Sequence, residues 1–141
     1  MSNEQLRALA KRVPARYIKQ KPGGFKASYV SHSEIQQMLL AKLGPVDQRV
    51  IDFIRSPEGV VEGVLLEMVF PIDGRLVTVQ EIGECERPGT NNGVNAKNAV
   101  SDGIKRCAMR VGLGLELWSQ ENYVLDKALA PKIDDDEGDG E

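Results

Sequence analysis

Apolar positions recur at steps of three and four over the longest patterned stretch of the chain, Asn95–Trp118 (NAKNAVSDGIKRCAMRVGLGLELW). Ala96, Ala99, Val100, Gly103, Ile104, Cys107, Ala108 and Val111 fall on one face of a helix at that spacing. Most of these residues are small, so the helix can lie close to whatever it packs on, by expectation a sheet. Lys97, Lys105, Arg106 and Arg110 fall on the other side. Gly112-Leu113-Gly114 supplies the stop, and Gly93 offers left-handed backbone ahead of the helix.

Three strand patterns precede this helix. Arg49–Arg55 alternates Val50, Asp52 and Ile54 against Ile51 and Phe53. Val60–Phe70 is rich in β-branched and large apolar residues. Arg75–Glu84 alternates Leu76, Thr78, Gln80 and Ile82 against Val77, Val79 and Glu81. Pro57-Glu58-Gly59 and Pro71-Ile72-Asp73-Gly74 read as short turns, which makes consecutive strands antiparallel partners. Upstream, residues 3–11 predict a short helix ended by Pro14, Pro22-Gly23-Gly24 a turn, and Phe25–Val30 a strand. Ser31 and Glu34 form a capping box before a helical run through Ile35, Met38, Leu39 and Leu43, which Gly44-Pro45 ends. Arg87–Gly93 (RPGTNNG) is a polar loop from sheet to long helix, and Leu115–Ala130 is a further element whose type the pattern leaves open. The expected fold is α+β: an antiparallel three-stranded β-sheet with a long helix packed across it, a β-β-β-α core, plus an N-terminal strand and helices.

Composition adds limits. A chain of 141 residues suits one domain. No apolar run is long enough for a bilayer, and the segment MSNEQLRALAKR has no hydrophobic signal core, so a cytoplasmic protein without a membrane partner is expected. Cys85 and Cys107 lack the spacing of a zinc site or a disulfide framework and read as reduced, partly buried thiols.

Charge changes the picture more. The net charge is −3, but residues 133–141 carry six acids and no base. All 18 basic residues lie before that tail against 15 acids, so the body is at +3. Within Gln5–Ser33 there are seven basic residues and no acid, a footprint for phosphates or another anion, with a solvated surface as the competing reading. The chain therefore divides into a binding domain over residues 1–132 and an acidic disordered tail over 133–141.

Catalytic signals are weak. The one histidine, His32, sits beside the capping box, where a structural or solvated role is the plainer reading. No HExxH, GxSxG, Walker loop or paired-carboxylate motif occurs. Glu81, Glu84 and Glu86 crowd the end of the third strand, but Glu81 and Glu84 differ in strand parity, which favours an exposed acidic strand end over a metal site. The expectation is a protein that is not an enzyme, with no cofactor and no metal. On the basic helix face, Asp102 stands four residues before Arg106, the favourable order for a helical ion pair. Lys105 has Ser101 at that spacing instead, and Lys97, Ser101 and Lys105 form one row. Aromatic residues are scarce, and only Tyr17, Phe25 and Tyr29 lie in the basic N-terminal block. If such a protein binds single strands, it is expected to hold the backbone and leave bases available for pairing.

The run Ala99-Val100-Ser101-Asp102-Gly103-Ile104-Lys105-Arg106 is similar to the A-V-[ST]-D-G-[IL]-K-R signature of the Rad-fifty-two superfamily of single-strand annealing proteins, particularly its small phage and bacterial members. Pro14-x-x-Tyr17-Ile18, Lys26-x-x-Tyr29-Val30 and Gly112 agree with it in order, and the resemblance runs from about Pro14 to Trp118. It implies a homo-oligomeric ring with single-stranded DNA in a basic groove between sheet and helix. On that basis Lys105 and Arg106 match residues that contact the DNA backbone, Lys97 a basic position further up the helix, and Lys26 a basic residue of the first strand. The chain departs from the pattern twice: Met109 stands where eukaryotic members place another arginine, leaving Arg110 one position later, and Glu34 replaces a basic groove residue.

The expected function is ATP-independent binding and annealing of single-stranded DNA in recombination and repair, by a phage-encoded protein acting in host cytoplasm. DNA-binding candidates are Lys26, Lys97, Lys105, Arg106 and Arg110. A single-strand-binding protein or an exonuclease is the candidate partner besides DNA and the ring. The alternative is a non-catalytic repair adaptor that recruits partners through its acidic tail, and a metal-dependent nuclease stands third for lack of ligands.

Overall fold

The structure, a computed structural model, describes residues 3–20 and 28–131. Lys26, the Pro22-Gly23-Gly24 turn, the first half of the Phe25–Val30 strand and the acidic tail lie outside the described residues.

The chain runs α1 (Glu4–Ala10), β1 (Lys19–Gln20), β2 (Ser28–Tyr29), α2 (His32–Leu43), β3 (Asp47–Arg55), β4 (Val61–Ile72), β5 (Arg75–Glu84), α3 (Asn92–Arg110), α4 (Glu116–Ser119) and α5 (Leu125–Ala128). Strands β3, β4 and β5 form an antiparallel sheet in that order, and α3 packs on it, which is the expected α+β, β-β-β-α core. Strands β1 and β2 make a separate short antiparallel pair, of which the sequence pattern indicated only the second strand.

Even-numbered residues of β4, from Val64 through Leu66, Met68 and Phe70 to Ile72, are buried against the helices. Helix α3 answers them with Ala99, Gly103, Ile104, Cys107 and Ala108. The small residues do what their size allows. At Gly83 of β5 a Cβ would lie 2.0 Å from the Ala99 carbonyl oxygen and 2.6 Å from the Gly103 nitrogen, so helix and strand meet backbone to backbone. The helix lies over β4 and β5 and leaves β3 aside, and all nine β3 residues are exposed.

Three features differ from the sequence pattern. Pro71 and Ile72 belong to β4, and the turn shrinks to Asp73-Gly74, both with positive φ, as a two-residue hairpin requires. In β3, a bulge between Val50 and Asp52 resets the parity: Val50 pairs with Leu66 and Phe53 with Val64 on the helix-facing side, whereas Asp52 and Ile54 face the other way. Simple alternation therefore put Val50 and Phe53 on opposite faces when they share one. Helix α3 begins three residues before Asn95, because the Asn91 side chain caps it by accepting from the Gly93 and Val94 N–H groups.

Asparagines fix the helix start in place. Asn92 accepts from the Val61 N–H and donates to the Gly59 carbonyl, and buried Asn95 exchanges hydrogen bonds with the Gly89 backbone at 2.8 and 3.0 Å. The Ser31–Glu34 capping box forms as expected, Ser31 accepting from the Glu34 N–H. After α3, left-handed Gly112 and Gly114 turn the chain, and the Leu113 N–H reaches back to the Ala108 carbonyl at 3.0 Å. Leu115–Ala130 resolves into α4, one turn of 3-10 helix and α5. These short elements hold the N-terminal segment: the buried Glu116 carboxylate accepts from the Val13 N–H at 2.5 Å, and the Tyr123 hydroxyl donates to the Ala10 carbonyl. Asp73 caps α1 from the hairpin turn, accepting from the Gln5 and Leu6 N–H groups.

Candidate functional site

Helix α3 turns Asn98, Ser101, Asp102, Lys105 and Arg106 toward an open cleft of about 790 Å³. Tyr29 and His32 close one side, and the segment Glu84–Arg87 after β5 closes another. A second hollow of about 390 Å³ adjoins it and shares Tyr29, Glu86, Asp102, Lys105 and Arg106. Its floor is apolar, with Met109, Leu113 and Leu117, and Trp118 stands at its side.

Two cations meet two aromatic rings there. The Lys105 ammonium lies 5.6 Å from the centre of the Tyr29 ring, and the Arg106 guanidinium 5.2 Å from the centre of Trp118. Asp102 holds Arg106 at 2.8 Å and, through the same oxygen, accepts the Glu84 backbone N–H at 2.9 Å. That hydrogen bond and the negative charge raise the Arg106 pKa further. The ion pair read from the i, i+4 spacing is thus present, and it also ties the end of β5 to the helix.

The other candidates separate. Lys97 is exposed two turns upstream, about 12 Å along the axis from Lys105, and does not line the cleft. Arg110 lies about 140° round the helix from Lys105 and pairs with Glu81 of β5 at 3.2 Å. Lys26 lies outside the described residues. Glu34, which departs from the resemblance, has a local role: it bonds Ser31 and pairs with Lys19 at 3.4 Å. The Ser31 hydroxyl, and after it Lys19, hold its carboxyl below the usual range.

The cleft is not uniformly basic. Glu84, Glu86 and Asp102 share it with Arg87, Lys105 and Arg106. Trp118 and Arg87 were not among the candidates from sequence. The signal available for Trp118 was a lone tryptophan at the head of a polar run, a few residues past two glycines.

Nucleophilic chemistry has little support at the cysteines. Cys85 and Cys107 are buried and unbridged, and burial pushes the Cys107 thiol up to about 11. Among the described residues, no group of three His, Cys, Asp or Glu side chains could hold a metal ion, and no helix is long and apolar enough to cross a membrane. The chain matches no protein-family model, no curated protein and no solved structure.

Proposed function

We propose that this protein binds single-stranded DNA through the Lys105–Arg106 cleft and anneals complementary strands without ATP. The observation that carries this reading is the placement of two adjacent cations on the wall of an open cleft, each beside an aromatic ring. Such a wall screens phosphates from one side and leaves the opposite side of a strand open to a second strand.

The acids in the cleft weaken the field each chain presents, so a firm hold needs many chains acting along one strand. The sheet supports assembly into a homo-oligomeric ring. Its two edges, β3 and β5, each pair only with β4 among the described residues. Val50, Ile51, Phe53 and Ile54 of β3 and Leu76 and Ile82 of β5 are exposed. Joining β3 of one copy to β5 of the next pairs both edges, and a head-to-tail contact of that kind forms a ring where its rotation closes and an open filament where it does not.

The test is strand pairing followed by fluorescence. Lys105→Ala with Arg106→Ala abolishes annealing and leaves the fold intact, since Asp102 keeps its bond to the Glu84 N–H and a half-buried i, i+4 ion pair on a helix contributes only about 0.5 kcal/mol. Annealing at the native rate by the double variant overturns the assignment.

A further inference from the structure

We propose that Trp118 is a nucleobase-stacking residue, taking one unpaired base per chain into the apolar-floored hollow between itself and Tyr29. This rests on the single-strand reading above and adds to it a contact with the base rather than the backbone.

Trp118 is the only tryptophan of the chain, and the residue is 62% exposed. The protein holds this large apolar ring in water at a fixed place. The Gly112–Gly114 turn sets the start of α4, and the Trp118 N–H is bonded to the Leu115 carbonyl at 3.0 Å. The preceding Glu116 anchors α4 to the Val13 backbone from inside the fold. The backbone that carries the ring is therefore positioned before any ligand arrives, which lowers the ordering cost of binding.

What surrounds the ring specifies a planar group with an anionic tether. Met109 and Leu117 offer an apolar floor, and Lys105 and Arg106 offer positive charge at the rim. Arg106, bonded to Asp102, has its guanidinium carbon 5.2 Å from the indole centre, so a cation and an aromatic surface stand together at the hollow. A base laid on that surface keeps its attached phosphate within reach of Lys105. One base held per chain sets the register of the strand and leaves the bases between neighbouring chains unstacked by protein and open for pairing.

The test uses the lone tryptophan as its own reporter. An oligothymidylate and an abasic oligonucleotide of equal length are titrated into the full chain, with indole emission and the anisotropy of a label on the DNA read together. Oligothymidylate quenches the emission, and the abasic strand binds more weakly with little quenching. Trp118→Ala weakens oligothymidylate about tenfold and leaves abasic binding unchanged, while Trp118→Phe restores most of the loss. Equal quenching by both strands, or equal weakening of both by Trp118→Ala, shows that the ring only holds Arg106 and overturns the inference while the backbone reading stands. If neither strand binds, both readings fail together.

Discussion

A methyl group at position 83 would lie 2.0 Å from the Ala99 carbonyl oxygen, with backbone rather than a movable side chain in its way. Gly83→Ala is accordingly expected to cost about 3 kcal/mol or more, because helix and sheet must separate to admit it. Gly89→Ala is the control: nothing lies within 4 Å of the added carbon, so its urea midpoint stays near the parent's. Equal midpoints for the two variants would refute the close approach. Two buried acids act on stability through pH. Burial raises the Cys107 thiol from 9.0 to about 11, and burial, then Glu116 and Asp126, raises the Tyr123 hydroxyl from 10.0 to about 12. The folded chain keeps these protons where the unfolded chain has lost them. Stability is therefore full below about pH 9 and falls as the pH rises toward 12. Tyr123→Phe flattens the part of that fall above about pH 10. It also removes the donor to the Ala10 carbonyl, which costs about 1 kcal/mol at every pH. Urea midpoints measured along the pH axis separate the two effects.

Strand β3 carries the element-scale prediction. Its apolar side chains are exposed although it sits beside the best-buried strand of the sheet. Val50→Lys with Phe53→Lys, both on the helix-facing side of the uncovered edge, is expected to yield a folded monomer, losing less than about 1 kcal/mol because these positions are already exposed. Sedimentation velocity reads the assembly and circular dichroism the fold; an unchanged assembly moves the interface elsewhere. The same strand marks how far the sequence could be read. Alternation located β3, β4 and β5 because each is long enough for its period to stand out. It missed the bulge at Ile51, since a one-residue slip leaves composition untouched and only the partner strand reveals it. Lys105 and Arg106 were legible as a helical face, and so was the Asp102 pair, because both depend on spacing within one helix. Arg110 was not, as its partner Glu81 lies 29 residues away across the sheet. Nor was Trp118, which two left-handed glycines bring back beside Arg106. Helices of four residues such as α4 and α5 lie below the length at which sequence propensity acts; distant bonds from Val13 and Ala10 hold this region.

At the scale of the whole molecule the deciding quantity is how charge is divided. The body, residues 1–132, carries 18 basic and 15 acidic residues, and the last nine residues carry six acids. If Lys97, Lys105 and Arg106 each neutralise one phosphate, single-strand affinity per chain falls with salt at a log–log slope of about −2. A tail of opposite charge competes for the same cations, so deleting residues 133–141 is expected to tighten binding to an oligonucleotide. The gain is largest in dilute buffer and fades as added salt shortens the screening length to about 8 Å at physiological strength. An adaptor gives a different pair of results: the deletion leaves oligonucleotide affinity unchanged at every salt concentration and abolishes association with a repair partner. Affinity measured against salt for the full and shortened chains therefore distinguishes competition within the molecule from recruitment. A mixed-charge cleft makes the first the stronger expectation, since three acids already oppose three bases there and the tail sets six more acids against a body whose excess is only +3.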